Sequence, residues 1–204
     1  MSGHEGSPAK DSRPRLRVVA SGEALAPESE ALSFEAVFRR YSPYVASIGL
    51  RLLGRDDELD DLVQDVFFEA HRGLSQVREP GAIKGWLARI CVRRAVRRLR
   101  LRRARAFLSF DTLTHDQPML AKDASPEARA EVARLYQKLA QLPALDRTIW
   151  VLRYLEGEGL DQIAMLCACS RSTVQRRLRE AQLRIGGSST ISLVPEPGEE
   201  GGAS

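Results

Sequence analysis

Residues 159–184 read GLDQIAMLCACSRSTVQRRLREAQLR, the pattern of two short amphipathic helices separated by a break. In the first helix the apolar residues recur at i, i+3, i+4 and i+7, and they are Leu160, Ile163, Ala164 and Cys167. After the break at residues 168–170, a second apolar series comprises Val174, Leu178, Ala181 and Ile185. The stretch therefore predicts a helix-turn-helix.

The other face of the second helix carries long cationic and amide side chains. They are Arg171, Ser172, Gln175, Arg176 and Arg179. Arginine pairs with guanine edges or phosphate, and glutamine with adenine or phosphate, so this face suits a DNA major groove. The alternative is a solvated surface helix, but residues 170–184 hold five arginines against one glutamate, which favours the DNA interpretation.

Composition restricts the class of protein. Apolar residues make up 43% of the 204 residues and aromatic residues only 6%, which favours small helical bundles over β sandwiches. The three cysteines indicate a reducing compartment. Because the N-terminus lacks the apolar core of a signal peptide, a cytoplasmic location is expected. The spacing of Cys167 and Cys169 is tighter than that of a zinc pair, so no metal site is predicted.

Charge is strongly segregated along the chain. Residues 56–69 carry seven acidic side chains and no Lys or Arg, whereas residues 89–105 carry nine arginines and no acid. This predicts one anionic and one cationic surface, and two kinds of partner. In the basic helix, a cluster that suits phosphate contact comprises Arg89, Arg93, Arg94 and Arg97. Nearby Trp86 has two possible roles, packing in the core, which its spacing favours, or contacting an exposed base.

Periodicity along the chain predicts an all-α protein of two small helical domains joined by a flexible linker. Residues 1–32 are predicted to be a disordered tail and residues 33–103 the first domain. Residues 104–124 are predicted to form the linker, residues 125–185 the second domain, and residues 186–204 a flexible acidic tail. Ser125 and Pro126 are typical of a helix start, an N-cap followed by proline.

Catalytic signatures are absent from the sequence. It has no glycine-rich phosphate loop, no nucleophile elbow and no histidine pair at ligand spacing. The contiguous carboxylates near residue 60 could hold a metal as in a nuclease, but such a face more often binds solvent or a partner. We therefore expect no enzyme activity, no cofactor and no small-molecule substrate.

Two blocks of the sequence carry distinctive motifs. The first block has Asp-Asp-Leu-Val-Gln-Asp-Val-Phe at residues 60–67 and Trp-Leu-Ala-Arg-Ile at residues 86–90. The second block has Leu-Pro at residues 142–143, Val-Leu-Arg-Tyr-Leu-Glu-Gly at residues 151–157, Gln-Ile-Ala at residues 162–164 and Ser-Thr-Val-Gln-Arg-Arg-Leu at residues 172–178. The first block resembles region 2, and the second resembles region 4, of the extracytoplasmic-function (ECF) group of bacterial sigma-70 factors. Together the two similar regions span about two-thirds of the chain in the family's order.

The resemblance implies a function in starting transcription on core RNA polymerase. In the family the acidic helix docks on a basic-tipped coiled coil of the β′ subunit, and the matching positions are Asp61, Gln64 and Asp65. The basic helix and the loop before it bind and open the −10 element, which implies contacts from Lys84, Trp86, Arg89, Arg93, Arg94 and Arg97. The last helix reads the −35 element, here through Arg171, Ser172, Thr173, Gln175, Arg176 and Arg179. The resemblance implies two further partners, which are the β flap of the polymerase and an anti-sigma factor.

Two residues depart from the family's pattern. Ala168 stands at the turn where the family usually has glycine, and if this position has a positive φ the alanine costs about 1 kcal/mol. Arg93 stands where the family commonly has asparagine. Two alternatives to an active sigma factor stay open: a free-standing helix-turn-helix regulator, and a sigma-like interaction protein that does not start transcription.

Overall fold

The structure, a computed structural model, describes residues 33–109 and 125–186, and within these ranges all regular elements are helical. The predicted tail at residues 1–32 lies outside the described residues, as do the predicted tail at residues 186–204 except Gly186 and most of the predicted linker. No helix in the described ranges is long and apolar enough to cross a membrane.

The N-terminal module is a bundle of three helices. They are α1 (Phe34–Leu53), α2 (Leu59–Gly73) and α3 (Ile83–Ser109), with two single 3₁₀ turns between α2 and α3. The N-cap side chain of Ser33 accepts a hydrogen bond from the backbone N–H of Ala36, which starts α1. The bundle's centre is apolar and fully buried at Leu52, Leu62 and Leu87. Helix α3 continues beyond residue 104, where the linker was predicted to begin.

The C-terminal module contains four helices. They are α4 (Pro126–Gln141), α5 (Ala144–Tyr154), α6 (Leu160–Cys167) and α7 (Arg171–Gly186). The backbone N–H of Ala128 donates to the N-cap oxygen of Ser125, as the serine–proline start predicts. Helices α6 and α7 form the helix-turn-helix, and α5 packs against both of them. This packing buries Ile149 and Leu152 completely.

The two modules contact each other where α1 ends. A helix end leaves carbonyl groups without partners, and here side chains from the C-terminal module supply donors. The guanidinium of Arg147 donates from Nη2 to the Leu53 carbonyl at 2.7 Å, and the hydroxyl of Tyr136 donates to the Arg51 carbonyl at 3.0 Å. The side chain of Arg51 in turn pairs with Glu156. We call these five residues the interdomain clasp.

Gly54 makes room for the interdomain clasp. It ends α1 in the left-handed conformation, with φ of +72°, and its N–H donates back to the Leu50 carbonyl at 2.7 Å. A Cβ atom at this position would lie 2.4 Å from a ring carbon of Tyr136. Both the backbone conformation and the close approach therefore require glycine.

Candidate functional site

Helix α7 presents its predicted face to solvent. Its inward side is apolar and buried at Val174, Leu178, Ala181 and Ile185. The side chains predicted to contact DNA are exposed at Arg171, Ser172, Gln175, Arg176 and Arg179, whereas Thr173 is half-buried. The structure therefore places these six residues along the first turns of one helix, five of them exposed, which is the arrangement that a groove-reading helix needs.

Two of the exposed arginines have carboxylate partners. Arg171 pairs with Asp161 of α6 at 2.7 Å, and Arg176 pairs with Glu180 one turn further along α7 at 2.8 Å. All four side chains are substantially exposed, and exposed ion pairs contribute only about 0–1 kcal/mol. A phosphate or a base edge can therefore replace these carboxylates at little cost.

A third arginine of α7 has a different role. Arg177 points toward the protein and pairs with Asp146 of α5, whose side chain is only 2% exposed. The pair joins α7 to α5 and sets the rotation of α7 about its axis. The apolar pattern alone does not reveal this contact, because Arg177 and Asp146 lie 31 positions apart in the chain.

The turn between α6 and α7 is strained in the way the sequence suggests. Ala168 has φ of +50° and ψ of +48°, the left-handed region that favours glycine. Ser170 follows and caps α7, because its Oγ accepts a hydrogen bond from the N–H of Thr173 at 3.2 Å. The turn thus keeps helix-turn-helix geometry at a cost of about 1 kcal/mol for the alanine.

The acidic face of α2 is open to solvent at its centre. Asp61 and Gln64 are exposed, and neither makes a side-chain hydrogen bond or ion pair with any described residue. Asp65 is half-buried and accepts from Nη2 of Arg98 in α3 at 2.7 Å. The three positions that match the family's docking residues therefore lie on one helix face, two of them without a competing partner in the described part of the chain.

Ion pairs between acidic α2 and basic α3 neutralise part of the charge on both helices. Glu69 pairs with both Arg93 and Arg94, and Glu58 at the start of α2 pairs with Arg98 and Arg102. The predicted separation into one anionic and one cationic surface is therefore incomplete. The sequence could not reveal this, because the pairs form only where the two helices pack side by side. As these side chains are partly exposed, each pair is worth about 1 kcal/mol or less.

The remaining predicted DNA contacts lie near the start of α3. Arg89 and Arg97 are exposed and have no carboxylate partner within residues 33–109 and 125–186. The ammonium of Lys84 lies 4.8 Å from the ring centroid of Tyr44. Trp86 is half-buried against the core, with its ring edge over Gly73, where a Cβ would approach to 2.9 Å. Its position corresponds to the core interpretation, with one part of the ring left accessible.

Neither a metal site nor a reactive thiol stands out in the described residues. They contain no group of three or more potential ligands that could hold a metal. Burial raises the pKa of Cys91 to about 12 and that of Cys167 to about 12. Both thiols therefore stay protonated near neutral pH and pack as small apolar side chains.

Comparison with known proteins finds both halves of the chain in one family. Residues 37–105 match the model of sigma-70 region 2, and residues 133–184 match that of sigma-70 region 4. RNA polymerase sigma factor SigV of Bacillus subtilis is 32% identical over 127 residues, which cover 62% of this chain and 72% of SigV. The ECF RNA polymerase sigma factor SigM of Mycobacterium tuberculosis is 26% identical over 75% of each chain.

Solved structures show the same fold. The sigma factor RpoE of Bartonella quintana, solved in complex with the anti-sigma factor NepR, aligns with a TM-score of 0.57 at 21% identity, over 74% of this chain and 93% of RpoE. CnrH, solved with the cytosolic domain of CnrY, aligns with a TM-score of 0.51 at 22% identity, over 78% of this chain and 91% of CnrH. Because region 2 and region 4 are both present, a free-standing helix-turn-helix regulator is not favoured. The chain belongs to the sigma-70 family of RNA polymerase sigma factors, in its ECF group.

Proposed function

We propose that this protein binds core RNA polymerase and directs it to promoters, where it recognises two DNA elements and helps to open the duplex. The observation that carries the proposal is the placement of three exposed surfaces on a sigma-70 fold. These are the acidic face of α2, the arginine-bearing start of α3 and the recognition face of α7. None of these surfaces carries a catalytic constellation, and the role requires no bond to be made or broken.

Recognition of the −35 element is assigned to α7. Its exposed side chains can reach base edges and phosphates in a major groove, and each good bidentate contact discriminates by about 1–3 kcal/mol. Residues assigned to this contact are Arg171, Ser172, Thr173, Gln175, Arg176 and Arg179. The pair formed by Arg177 and Asp146 positions α7 for this contact without touching the DNA.

Recognition of the −10 element is assigned to the start of α3 and the loop before it. The residues are Lys84, Trp86, Arg89, Arg93, Arg94 and Arg97. Arg89 and Arg97 are ready for phosphate contact, whereas Arg93 and Arg94 must first leave Glu69. Removing a base from the stack requires a few kcal/mol, which the binding free energy on polymerase offsets.

Docking on the polymerase is assigned to Asp61, Gln64 and Asp65 of α2. The carboxylates of Asp61 and Asp65 and the amide of Gln64 face a basic-tipped coiled coil of the β′ subunit, and the C-terminal module contacts the β flap. Opposite charges on the two surfaces steer association more than they set its strength. Since polymerase and chromosome share the bacterial cytoplasm, the site of action is cytoplasmic. An anti-sigma factor, as in the NepR complex of the structural relative RpoE, is the expected regulator.

Binding both promoter elements requires the two modules to separate. The −10 and −35 positions are about 25 base pairs apart, or roughly 85 Å at 3.4 Å per base pair. In this structure α5 and α6 contact α3, so the DNA-binding helices cannot reach both elements at once. The interdomain clasp must therefore open when the promoter is bound.

The decisive test is run-off transcription with purified core polymerase. We expect the wild-type protein to direct transcription from its promoter, identified from a promoter library, and the double variant Asp61→Arg, Asp65→Arg to abolish it. Charge reversal turns the attraction to a basic surface into repulsion, so polymerase binding is lost.

A matched control is Glu131→Arg, which reverses one exposed charge on α4, far along the chain from α2. This variant is expected to transcribe normally. If the double variant still binds core polymerase with wild-type affinity, the docking assignment is wrong. If the wild-type protein binds polymerase but starts no transcript at any promoter in the library, the protein is a sigma-like interaction protein instead.

A further inference from the structure

An exposed phenylalanine lies in the middle of the charged surface of α2. The side chain of Phe68 is 65% exposed, although its neighbours Val66 and Phe67 are buried. Both modules are in place, and neither covers Phe68 within the described residues. Aromatic side chains, phenylalanine among them, are enriched at the cores of protein–protein interfaces, so an uncovered ring beside the proposed docking residues suits contact with a partner.

Phe68 lies on the same helix face as the proposed docking residues. It follows Asp65 by three positions, Gln64 by four and Asp61 by seven, and these spacings place side chains next to each other on an α-helix. The face from Asp61 to Arg72 is about 17 Å long at 1.5 Å per residue. Its first half is acidic and its second half begins with the aromatic ring.

The ring of Phe68 is held in position from one side. The guanidinium of Arg72, one turn further along α2, lies 5.3 Å from its centroid. On the adjacent side of α2 a second exposed ring, Phe38 of α1, packs at 4.7 Å against Phe67. The acidic residues are thus followed along the same face of α2 by one exposed aromatic ring, that of Phe68.

We propose that Phe68 is the apolar anchor of the polymerase-docking surface. This inference rests on the proposed function and names the residue that gives the contact its strength. The partner is a basic helical surface of core polymerase that also offers an apolar recess. Its cations meet Asp61 and Asp65, and its recess covers the ring of Phe68.

The carboxylates and the aromatic ring contribute different amounts to the binding free energy. An exposed ion pair changes a dissociation constant by about 5-fold at most, since it is worth up to about 1 kcal/mol. A buried aromatic anchor changes it by about 30-fold, which converts to about 2 kcal/mol. The carboxylates therefore set the association rate and its dependence on salt. Phe68 sets the dissociation rate.

The test measures binding kinetics of the full-length protein to core RNA polymerase and to its isolated β′ coiled-coil fragment. Phe68→Ala is expected to weaken both affinities about 30-fold, mainly by faster dissociation and with an unchanged salt dependence. Phe68→Leu, which keeps an apolar side chain, restores most of the affinity. Asp61→Asn slows association instead, and its effect disappears at high salt. Met165→Ala, matched as an exposed apolar residue on the other module, leaves binding to the fragment unchanged.

The outcomes separate this inference from the proposed function. If the wild-type protein binds core polymerase and Phe68→Ala changes the dissociation rate less than 3-fold, the assignment of Phe68 as the anchor is wrong while the proposed function stands. If the wild-type protein does not bind polymerase, both are wrong. If Phe68→Ala instead dissociates a dimer and leaves polymerase binding intact, the aromatic ring joins two copies of this chain, and the anchor assignment is overturned. Circular dichroism and thermal unfolding verify that each variant is folded.

Discussion

Replacing Arg147 by methionine is expected to weaken the contact between the two modules. The side chain of Arg147 is 5% exposed, and its Nη2 donates at 2.7 Å to the carbonyl of Leu53 at the end of α1. Methionine keeps the apolar stem and most of the volume but cannot donate a hydrogen bond. The substitution therefore removes the charged donor and leaves the packing of the stem largely intact.

The size of the effect follows from the groups that remain. A hydrogen bond to a charged donor contributes about 1.5–3 kcal/mol to stability. Arg102 also donates to the Leu53 carbonyl, at 3.4 Å, so that oxygen keeps a weaker partner. The guanidinium of Arg147 further lies 5.7 Å from the ring of Tyr136, a contact worth about 0.5–1 kcal/mol. We expect a loss of about 2 kcal/mol, which is about 30-fold in the unfolding equilibrium constant.

Urea unfolding followed by tryptophan fluorescence measures this loss. Trp86 lies on α3 and Trp150 on α5, so single-tryptophan variants report the two modules separately. With a urea m-value of about 1–3 kcal/mol per molar, the midpoint of Arg147→Met should fall by about 1 M. The two modules, each reported by its own tryptophan, should also unfold at urea midpoints that lie further apart than in the wild type, because the modules lose a mutual contact.

The control for this prediction is Arg134→Met, which removes from α4 an exposed guanidinium that contacts no side-chain partner among the described residues. Its unfolding free energy should stay within about 0.5 kcal/mol of the wild type. A change of less than about 0.5 kcal/mol in Arg147→Met as well would refute the reasoning, since the bond to Leu53 would then contribute nothing to the interface.

Two further predictions concern the turn and a buried thiol. Ala168→Gly relieves the left-handed strain and is expected to stabilise the C-terminal module by about 0.5–1 kcal/mol, measured by thermal unfolding; a destabilised variant would contradict this. Burial raises the pKa of Cys91 to about 12 from its ordinary 9.0, so above pH 9 the unfolded chain releases the thiol proton while the folded chain retains it. The stability advantage of the wild type over Cys91→Ala should therefore shrink as the pH rises from 9 toward 12, and a constant difference across that range would exclude this linkage.

Local pattern predicted most of the fold and which side of α7 is exposed. The spacing of Val174 and Leu178 identified the buried side of α7 correctly, because helical periodicity is a property of the chain itself. The positive φ that would strain Ala168 is found in the structure, at a turn whose chemistry is local. The roles assigned to individual site residues stay predictions that the proposed experiments test.

Contacts between distant residues could not be predicted in this way. The sequence showed Glu69 and Arg93 as members of two separate charged blocks, but packing of α2 against α3 makes them an ion pair. Helical spacing places Phe67, four positions after Val63, on the apolar side of α2 and leaves Phe68 outside it. Only the packed structure shows that no other described element covers Phe68, which is 65% exposed.

The amino-acid sequence by itself determined that this protein is all-α, where most helices begin and end, and which sides of them are apolar. These properties depend on residues three or four positions apart. The tertiary structure alone decided which charges are neutralised, that no other described element covers Phe68, and how Arg147 meets the end of α1, 94 positions away in the chain. Such contacts depend on how helices are rotated and packed against each other, and no local spacing encodes that geometry.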